Sequence, residues 1–336
     1  MFLFINMDNA ILLADPDSYA WDFAERIQKY IQQKKGVLIL LKQVSIKYFK
    51  NGEIDMHVPE NVRKKDIYFI HDSTKNPQQW WVEILLIEDL LLRASAQSLT
   101  LVLPNMLYSR KDRKEKPHVP ISAKALADSI CPEISRVITM DLHATQIQGF
   151  YPQNVPLDNL YSFSAVARYI KENHVIDSPE NLVILSPDAG GVDRAKAFAR
   201  KLGSKHPLAF IYKRRTTEGI GDTQDIKETI LVGDVLNKDV LIVDDLIDSG
   251  ATLCKAAELL KQNGAKKLFC YGTHGLFSKG TEELLRCFEK VMTSNTHYQK
   301  EANGSTVIDL SPIFAEAIYR AIVGESISKL FDLNTD

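Results

Sequence analysis

A short apolar run that leads into an amphipathic helix constrains the fold of this chain more than any other feature. The residues from Val240 to Val243 are all apolar and mostly β-branched, as expected for a strand buried on both faces of a parallel sheet. From Cys254 onward, apolar residues recur at helical spacing until Asn263 and Gly264, which form a helix-ending signal. The stretch therefore predicts a parallel sheet with helices packed against it.

Both halves of the chain repeat this alternation of predicted strands and helices. A chain of 336 residues is long enough for two domains of ordinary size, and the alternation is typical of doubly wound α/β domains. The segment 149–159 contains Pro152 and Pro156 and interrupts the pattern. We therefore predict two domains, 1–160 and 161–336.

The composition excludes several classes of protein. The hydrophobic content of 45% and charged content of 25% are those of a soluble globular protein, and a net charge of −2 gives no overall attraction to nucleic acid or membrane. No apolar run reaches the ~18 residues that a membrane-spanning helix needs, and the first residues lack the basic leader of a signal peptide. The four cysteines show neither a C-x-x-C pair nor zinc spacing. We expect a cytoplasmic protein with reduced thiols and with no nucleic-acid or membrane partner.

The loop between the predicted strand and helix combines acidic residues with small, hydroxyl-bearing ones. Carboxylates directly after the strand can accept hydrogen bonds from sugar hydroxyls or hold a hydrated metal ion. The next turn offers free backbone N–H groups and two hydroxyls at a helix N-terminus, which suit a phosphate dianion. The alternative is an ordinary helix cap beside a solvated acidic pair. We interpret the loop as a ribose-phosphate site formed by Asp244, Asp245, Asp248, Ser249, Gly250, Ala251 and Thr252.

Four other segments follow predicted strands, at the sheet edge where α/β proteins bind ligands. Residues 110–116 are all charged and mostly basic, which suits a triphosphate. His143 follows an acidic residue, and Asp188 lies in a turn with paired glycines, so both suit contact with a metal ion or a phosphate. Residues 213–222 form a cationic, glycine-containing segment that we expect to be mobile and to close over an anionic reaction centre. Taken singly, these segments have ordinary alternatives: a solvated turn, a structural histidine, a common turn and a surface hairpin.

Several segments, in the same order, resemble one family, the ribose-phosphate pyrophosphokinases or phosphoribosyl pyrophosphate synthetases. The most specific is MDLHATQIQGF at residues 140–150, because ordinary phosphoribosyltransferases share the loop at 244–252. The resemblance covers nearly the whole chain. It implies an α/β fold of two tandem type I phosphoribosyltransferase-like domains, each a mostly parallel sheet flanked by helices. The other matching segments are FKNGE at 49–53, YSRKDRK at 108–114, SPDAGG at 186–191, KRR at 213–215 and GESISKLF at 324–331.

The resemblance implies transfer of the β,γ-diphosphoryl group of Mg-ATP to the 1-hydroxyl of ribose 5-phosphate, which gives phosphoribosyl pyrophosphate and AMP. The first domain would serve ATP and the subunit contacts, and the second would hold ribose 5-phosphate and the mobile loop. The hairpin at 49–53 would reach into a neighbouring subunit of a homo-oligomer, a dimer or a hexamer. Carried over by position, the roles are ATP binding for Phe49, Asn51, Glu53, Arg110, Lys111, Asp112 and His143; ribose 5-phosphate binding for Asp188, Asp244, Asp245, Asp248, Ser249, Gly250, Ala251 and Thr252; Mg²⁺ binding for His143 and Asp188; and catalysis for Lys213, Arg215 and His143.

Several positions depart from the pattern of the family, among them Lys111 and Ala251. Lys111 stands where the family usually has glutamine, and Ala251 brings a Cβ near the expected phosphate. Two other functions are open at this point. A phosphoribosyltransferase would use the loop at 244–252 but would leave His143 and Lys213 without a role. A catalytically silent regulatory subunit would have lost that histidine or the cations of the mobile loop, and this chain retains both.

Overall fold

The structure, a computed structural model, describes residues 5–177, 179–215, 226–298 and 304–331, and at residues 5, 6, 8, 213–215 and 226–228 it describes the backbone alone. These residues form two compact units. The first unit extends through Leu160 and includes Thr296–Tyr298 and Asp309–Phe331. The second unit contains Tyr161–Asn295 and the strand that ends at Ile308.

The first unit is built on a six-stranded sheet in which every neighbouring pair of strands is parallel. Its elements up to residue 160 are β1 (Ile5–Ala14), α1 (Ala20–Lys35), β2 (Val37–Gln43), β3 (Ser45–Tyr48), β4 (Ile54–His57), β5 (Asp66–Ile70), α2 (Pro77–Arg93), β6 (Ser98–Leu103), α3 (Ser122–Ile130), β7 (Arg136–Met140), a 3₁₀ turn (Thr145–Phe150) and β8 (Leu157–Leu160). The sheet order is β2-β1-β5-β6-β7-β8. Phe69, Leu101 and Trp80 are buried between the sheet and its helices, as a parallel sheet covered by helices requires.

Strands β3 and β4 form a separate antiparallel hairpin with two strands. The Asn51-Gly52 pair predicts a tight turn here, and Gly52 has a φ of 89° at the hairpin tip. This positive φ is one that glycine adopts without strain. The sequence therefore determines the tip of the hairpin locally.

The second unit contains a seven-stranded sheet that is parallel except for one pair. Its elements are α4 (Phe163–Glu172), a 3₁₀ turn (Pro179–Asn181), β9 (Leu182–Ser186), α5 (Val192–Leu202), β10 (Ala209–Arg215), β11 (Ile226–Val232), β12 (Asp239–Ile247), α6 (Ala251–Gln262), β13 (Leu268–Gly275), α7 (Glu282–Cys287), β14 (Lys290–Ser294) and β15 (Thr306–Ile308). The order is β11-β10-β9-β12-β13-β14-β15, and the β10–β11 pair is antiparallel. The predicted fold class, two α/β units with mostly parallel sheets flanked by helices, is confirmed.

The C-terminal helix differs from the prediction. We expected all of 161–336 in one domain, but α8 (Ser311–Val323) belongs to the first unit. Phe314 packs edge-on against Phe23 of α1 at a centroid distance of 5.4 Å, and Glu316 forms an ion pair with Lys35 at 2.8 Å. These tertiary contacts between distant parts of the sequence place the helix, and its local sequence does not encode them. Within the described ranges, no helix combines the length and the apolar character that crossing a membrane requires.

Candidate active site

The N-terminus of α6 is open at the loop that the sequence marks as a phosphate site. Gly250 precedes the helix with a φ of 76°, a conformation that favours glycine. A Cβ at this position would also lie 2.8 Å from the Leu284 side chain. Ala251 and Thr252 are exposed in the first turn. The first turn of the helix is therefore accessible to solvent, as an anion site at a helix N-terminus requires.

Ser249 and Asp248 border this turn. The Oγ of Ser249 accepts a long hydrogen bond of 3.5 Å from the backbone N–H of Ala251. The carbonyl oxygen of Asp248 accepts a hydrogen bond from the N–H of Ser278 at 3.1 Å, which ties the loop to the segment after β13. The backbone of the loop is thus fixed while the Ser249 hydroxyl lies next to the helix N-terminus.

The acidic pair lies inside β12, whereas the sequence placed it in the loop after the strand. Asp244 pairs with Gly272 of β13, and the ladder continues to Ile247. Aspartate is depleted in strands, so the strand was predicted to end with the apolar run at Val243, four residues before its actual end at Ile247. The pairing with β13 extends the strand, and it holds both carboxylates at the carboxyl end of the sheet.

Arg194, which the sequence analysis missed, binds the acidic pair. Its Nη1 donates to Oδ1 of Asp245 at 3.1 Å and lies 3.7 Å from Oδ1 of Asp244. The Arg194 side chain is 14% exposed and that of Asp245 8%, so the pair is shielded from water and screening by salt is weak. One sequence signal could have revealed this contact: Arg194 lies in the first turn of α5, which follows the paired glycines.

The Asp188 turn brings a third carboxylate near this pair. The Oδ1 of Asp188 accepts from the N–H of Gly191 at 3.0 Å, and the Ser186 hydroxyl donates to the Asp188 carbonyl at 2.6 Å. A Cβ on Gly191 would lie 2.6 Å from the Ser186 oxygen, so the turn requires glycine there. Burial and then the charge of Asp245 raise the pKa of Asp244 well above its usual value, Asp188 adds to the shift and Arg194 opposes it.

Lys213 and Arg215 lie in β10, next to the strand that leads to Asp188. The backbone of Lys213 is paired with Thr229 and that of Arg215 with Ile226. The sequence analysis placed 213–215 in a loop, but pairing with β11 makes them the end of a strand. The remainder of the predicted mobile segment, 216–222, lies outside the described residues.

In the first unit, Asp112 and its neighbours follow β6. Asp112 is 6% exposed; its carboxylate accepts from Gln146 Nε2 at 2.5 Å and from Arg113 Nε at 3.3 Å. Lys111 is exposed and pairs with Glu115 at 3.2 Å, and Arg110 is exposed as well. The structure thus brings Asp112 and the 3₁₀ turn after β7 together, a contact that the sequence analysis did not anticipate.

His143 is the exposed residue of an otherwise buried turn, 141–144, whose backbone is fixed. Asp141 has a φ of 43° and donates its N–H to the carbonyl of Leu160 at 2.9 Å. The next N–H, of Leu142, donates to Oδ1 of Asn159 at 3.1 Å. These bonds anchor the turn to β8, and His143 itself is exposed. Its side chain therefore stands on a rigid base and is accessible to a ligand.

Three of the predicted ATP-binding residues, Phe49, Asn51 and Glu53, lie at the hairpin tip. Phe49 is 57% exposed, its N–H donates to the carbonyl of Glu53 at 2.8 Å, and the Oδ1 of Asn51 accepts from the N–H of Glu53 at 3.2 Å. The tip is thus ordered by its own hydrogen bonds while the aromatic ring is exposed.

The predicted metal ligands, His143 and Asp188, belong to different units. Across the described part of the chain, no three His, Cys, Asp or Glu side chains form a metal site by themselves. This is compatible with Mg²⁺, which proteins commonly hold through one or two carboxylates and the phosphates of a substrate. Asp244 and Asp245 share the guanidinium of Arg194, and Asp188 adds to the negative charge around Asp244.

The architecture and the open helix N-terminus define a phosphoribosyltransferase-type α/β protein. Residues 157–306 match the family model of the phosphoribosyl transferase domain, and residues 18–132 match that of the N-terminal domain of ribose phosphate pyrophosphokinase.

Similarity to individual proteins extends over nearly the whole chain. The chain is 38% identical over 314 residues to the ribose-phosphate pyrophosphokinase of Wolinella succinogenes, covering 92% of this chain and 96% of that protein. It is 38% identical to that of Cereibacter sphaeroides, covering 93% and 92%. The crystal structure of phosphoribosylpyrophosphate synthetase from Mycobacterium smegmatis has a TM-score of 0.79 at 30% identity, covering 94% of this chain and 99% of the other. The chain belongs to the ribose-phosphate pyrophosphokinase family of enzymes, and the resemblance seen in the sequence is confirmed.

Proposed function

We propose that this chain transfers the β,γ-diphosphoryl group of Mg-ATP to the 1-hydroxyl of ribose 5-phosphate. The hydroxyl oxygen forms a bond to the β-phosphorus, and the bond from that phosphorus to the oxygen shared with the α-phosphorus breaks. AMP leaves, the hydroxyl proton is released, and phosphoribosyl pyrophosphate forms. The observation that carries the proposal is the open N-terminus of α6 beside an acidic pair held by Arg194, in a member of this family.

The second unit binds ribose 5-phosphate in this proposal. The first-turn amides of α6 and the hydroxyls of Ser249 and Thr252 donate to the 5-phosphate, which is stabilised by the partial positive charge of the helix N-terminus. Asp244 and Asp245 accept hydrogen bonds from the ribose hydroxyls. Arg194 fixes the orientation of Asp245 through the 3.1 Å contact, so the sugar meets carboxylates that are already in place.

ATP binds through the first unit. The exposed ring of Phe49 stacks on the adenine, and Asn51 and Glu53 bind the edge of the base in the site of a neighbouring subunit. Arg110, Lys111 and Asp112 complete the nucleotide site, and His143 contacts the polyphosphate. The Gln146–Asp112 hydrogen bond supports this arrangement because it fixes the Asp112 carboxylate next to the turn that carries His143.

Asp188 and His143 are the residues that would hold Mg²⁺. When bound, the ion neutralises charge on the phosphates as the diphosphoryl group is transferred. The exposed carboxylate of Asp188, whose orientation is set by the Gly191 N–H, is suited to this role. Lys213 and Arg215 stabilise the transferring group, since phosphoryl transfer depends on positioning and on cations more than on covalent help.

Two broader proposals concern domains and assembly. The first domain carries the ATP side and the subunit contacts, and the second carries the ribose 5-phosphate side and the catalytic cations. The chain forms a homo-oligomer, a dimer or a hexamer, in the cytoplasm. Val82 and Leu92 on α2 are 44% and 56% exposed, and a subunit contact at this helix would cover them. The four free cysteines fit a reducing compartment.

A coupled assay for AMP tests the activity. We expect AMP release from ATP that requires both ribose 5-phosphate and Mg²⁺. A phosphoribosyltransferase would instead consume phosphoribosyl pyrophosphate without ATP, and a silent subunit would turn over neither. Failure to release AMP in the presence of both substrates and Mg²⁺ would contradict the proposal.

A further inference from the structure

The β3–β4 hairpin needs an anchor outside its own strands. It forms a sheet separate from the six-stranded one, and an isolated pair of strands is only marginally stable in water. Away from the tip, Ile46 is 8% exposed and Met56 packs partly against the core of the first unit; Ile54, in the rung beside the tip, packs partly against it as well. At its tip, however, Phe49 is exposed. Apolar packing therefore fixes the base more firmly than the tip.

A polar contact reaches from the tip end of the hairpin into the buried interior. Tyr48 pairs with Ile54 in the last rung before the tip and directly precedes Phe49. Its hydroxyl donates a hydrogen bond to Oε1 of Glu83 on α2. Because the Glu83 side chain is 0% exposed, water does not compete for this acceptor.

Glu83 is itself held by a buried network. Its Oε2 accepts from Lys75 Nζ at 2.9 Å, and the same ammonium donates to Oδ2 of Asp15 at 2.9 Å. His71 Nε2 lies 3.5 Å from Oε2 of Glu83 and 3.1 Å from the carbonyl oxygen of Trp80. A buried carboxylate is stable only when it is paired and hydrogen bonded, and Lys75 supplies the pairing charge. The carboxylate is therefore a fixed point for the Tyr48 hydroxyl.

We propose that Tyr48 and Glu83 are positioning residues for nucleotide binding. The chain of contacts runs from Asp15, after β1, through Lys75 and Glu83 to Tyr48. It ties the hairpin that carries Phe49 to the carboxyl end of the main sheet. The inference rests on the proposed function, in which the tip binds adenine. It adds that the buried acid sets the orientation of the tip and thereby the affinity for ATP.

Tyr48→Phe tests this inference because it removes only the hydroxyl. We expect the KM for ATP to rise about tenfold, in line with the loss of a hydrogen bond to a charged group, while kcat and the KM for ribose 5-phosphate stay within about twofold of the original. Hydrogen exchange at the amides of 45–57 should accelerate. Tyr169→Phe removes the same hydroxyl from α4 in the other unit and should change neither quantity.

A double-mutant cycle with Glu83→Gln separates positioning from general destabilisation. If both side chains act through one bond, Tyr48→Phe combined with Glu83→Gln raises the KM for ATP no more than the larger single effect. Should Glu83→Gln not fold, Tyr48→Phe decides alone. An unchanged KM for ATP together with unchanged exchange at 45–57 overturns the inference, as does an equal rise of both KM values. If no variant or parent releases AMP, the proposed function fails, while the exchange measurement still tests the anchor.

Discussion

The turn before α6 and the tip of the β3–β4 hairpin are two proposed substrate contacts of opposite construction. Gly250 sits in a left-handed conformation against Leu284, and the acidic pair next to it is held by a shielded arginine. The hairpin tip exposes Phe49 and is linked to the interior through one tyrosine hydroxyl. The first site is completed within one unit by buried strands. The second presents an aromatic ring to solvent, which is suited to a ligand shared with another copy of the chain.

We expect the largest effect on turnover from removing a cation that acts on the transferring diphosphoryl group. Lys213→Ala should lower kcat about a hundredfold or more, the effect of removing one transition-state contact, while both KM values change little. Steady-state AMP release measures this. Lys34→Ala, which removes an exposed lysine from the last turn of α1, is the control. Turnover like that of the original enzyme would remove Lys213 from the mechanism.

Glu88 is a buried acid in the first unit. It differs from Asp245 of the second unit, which is paired with Arg194. Burial, and then the charge of Glu133, raise the pKa of Glu88 to about 8, and its Oε1 has no hydrogen-bond partner among the described residues. The folded protein therefore retains a proton that the unfolded chain releases. The resulting stability is complete below pH 4.5, the ordinary pKa, and is lost as the pH rises through about 8.

Glu88→Gln should abolish this pH dependence. Between pH 5 and pH 7 the original protein should lose about 2.5 kcal/mol of unfolding free energy relative to the variant. Thermal unfolding at both pH values measures the difference. Glu172→Gln, at an exposed position of α4, should retain the full dependence. Parallel pH profiles for the protein and Glu88→Gln would show that Glu88 is ionised in the folded state.

Gly250→Ala tests whether the turn before α6 requires glycine at this position. An alanine there is strained by the φ of 76° and meets Leu284, so we expect the KM for ribose 5-phosphate to rise about tenfold as the helix N-terminus shifts. Gly36→Ala is a matched control, because Gly36 has a φ of 66° with nothing within 4 Å of an added Cβ. That control should lower the stability slightly and leave both KM values unchanged. An unaltered KM in Gly250→Ala would show that the turn tolerates the side chain.

How much the sequence predicted also differs between the two regions. The turn at Gly250 is local, so its residues predict both the conformation and the helix that follows. Arg194 was missed because its contact with Asp245 joins residues 51 positions apart, and Glu83 because its partner Tyr48 lies 35 positions away on another element. Helix α8 was assigned to the wrong unit for the same reason. Local sequence patterns predicted the helices, strands and turns. Which charged groups meet depends on contacts between distant elements, and local patterns do not encode these.

Phe49→Leu should give the smallest effect of these substitutions. It tests the role of the exposed hairpin tip. Leucine retains apolar area but loses the aromatic face, so we expect the KM for ATP to rise about fivefold, with the KM for ribose 5-phosphate unchanged. Steady-state kinetics with each substrate varied in turn measures both. Phe49→Tyr preserves the ring and should behave like the original. A change confined to ribose 5-phosphate would contradict the assignment of the tip to adenine.

Mixed oligomers of Phe49→Ala and Lys213→Ala test whether the hairpin tip serves its own subunit or a neighbouring one. If the tip serves the active site of a neighbouring subunit, a pair of unlike subunits contains one site with both defects and one with neither. Mixing two weakly active variants after reversible dissociation should then restore activity, up to the fraction of intact sites. If the tip serves its own subunit, every site retains one defect and mixing restores nothing. The outcome therefore decides whether the exposed ring of Phe49 acts within one chain or between two.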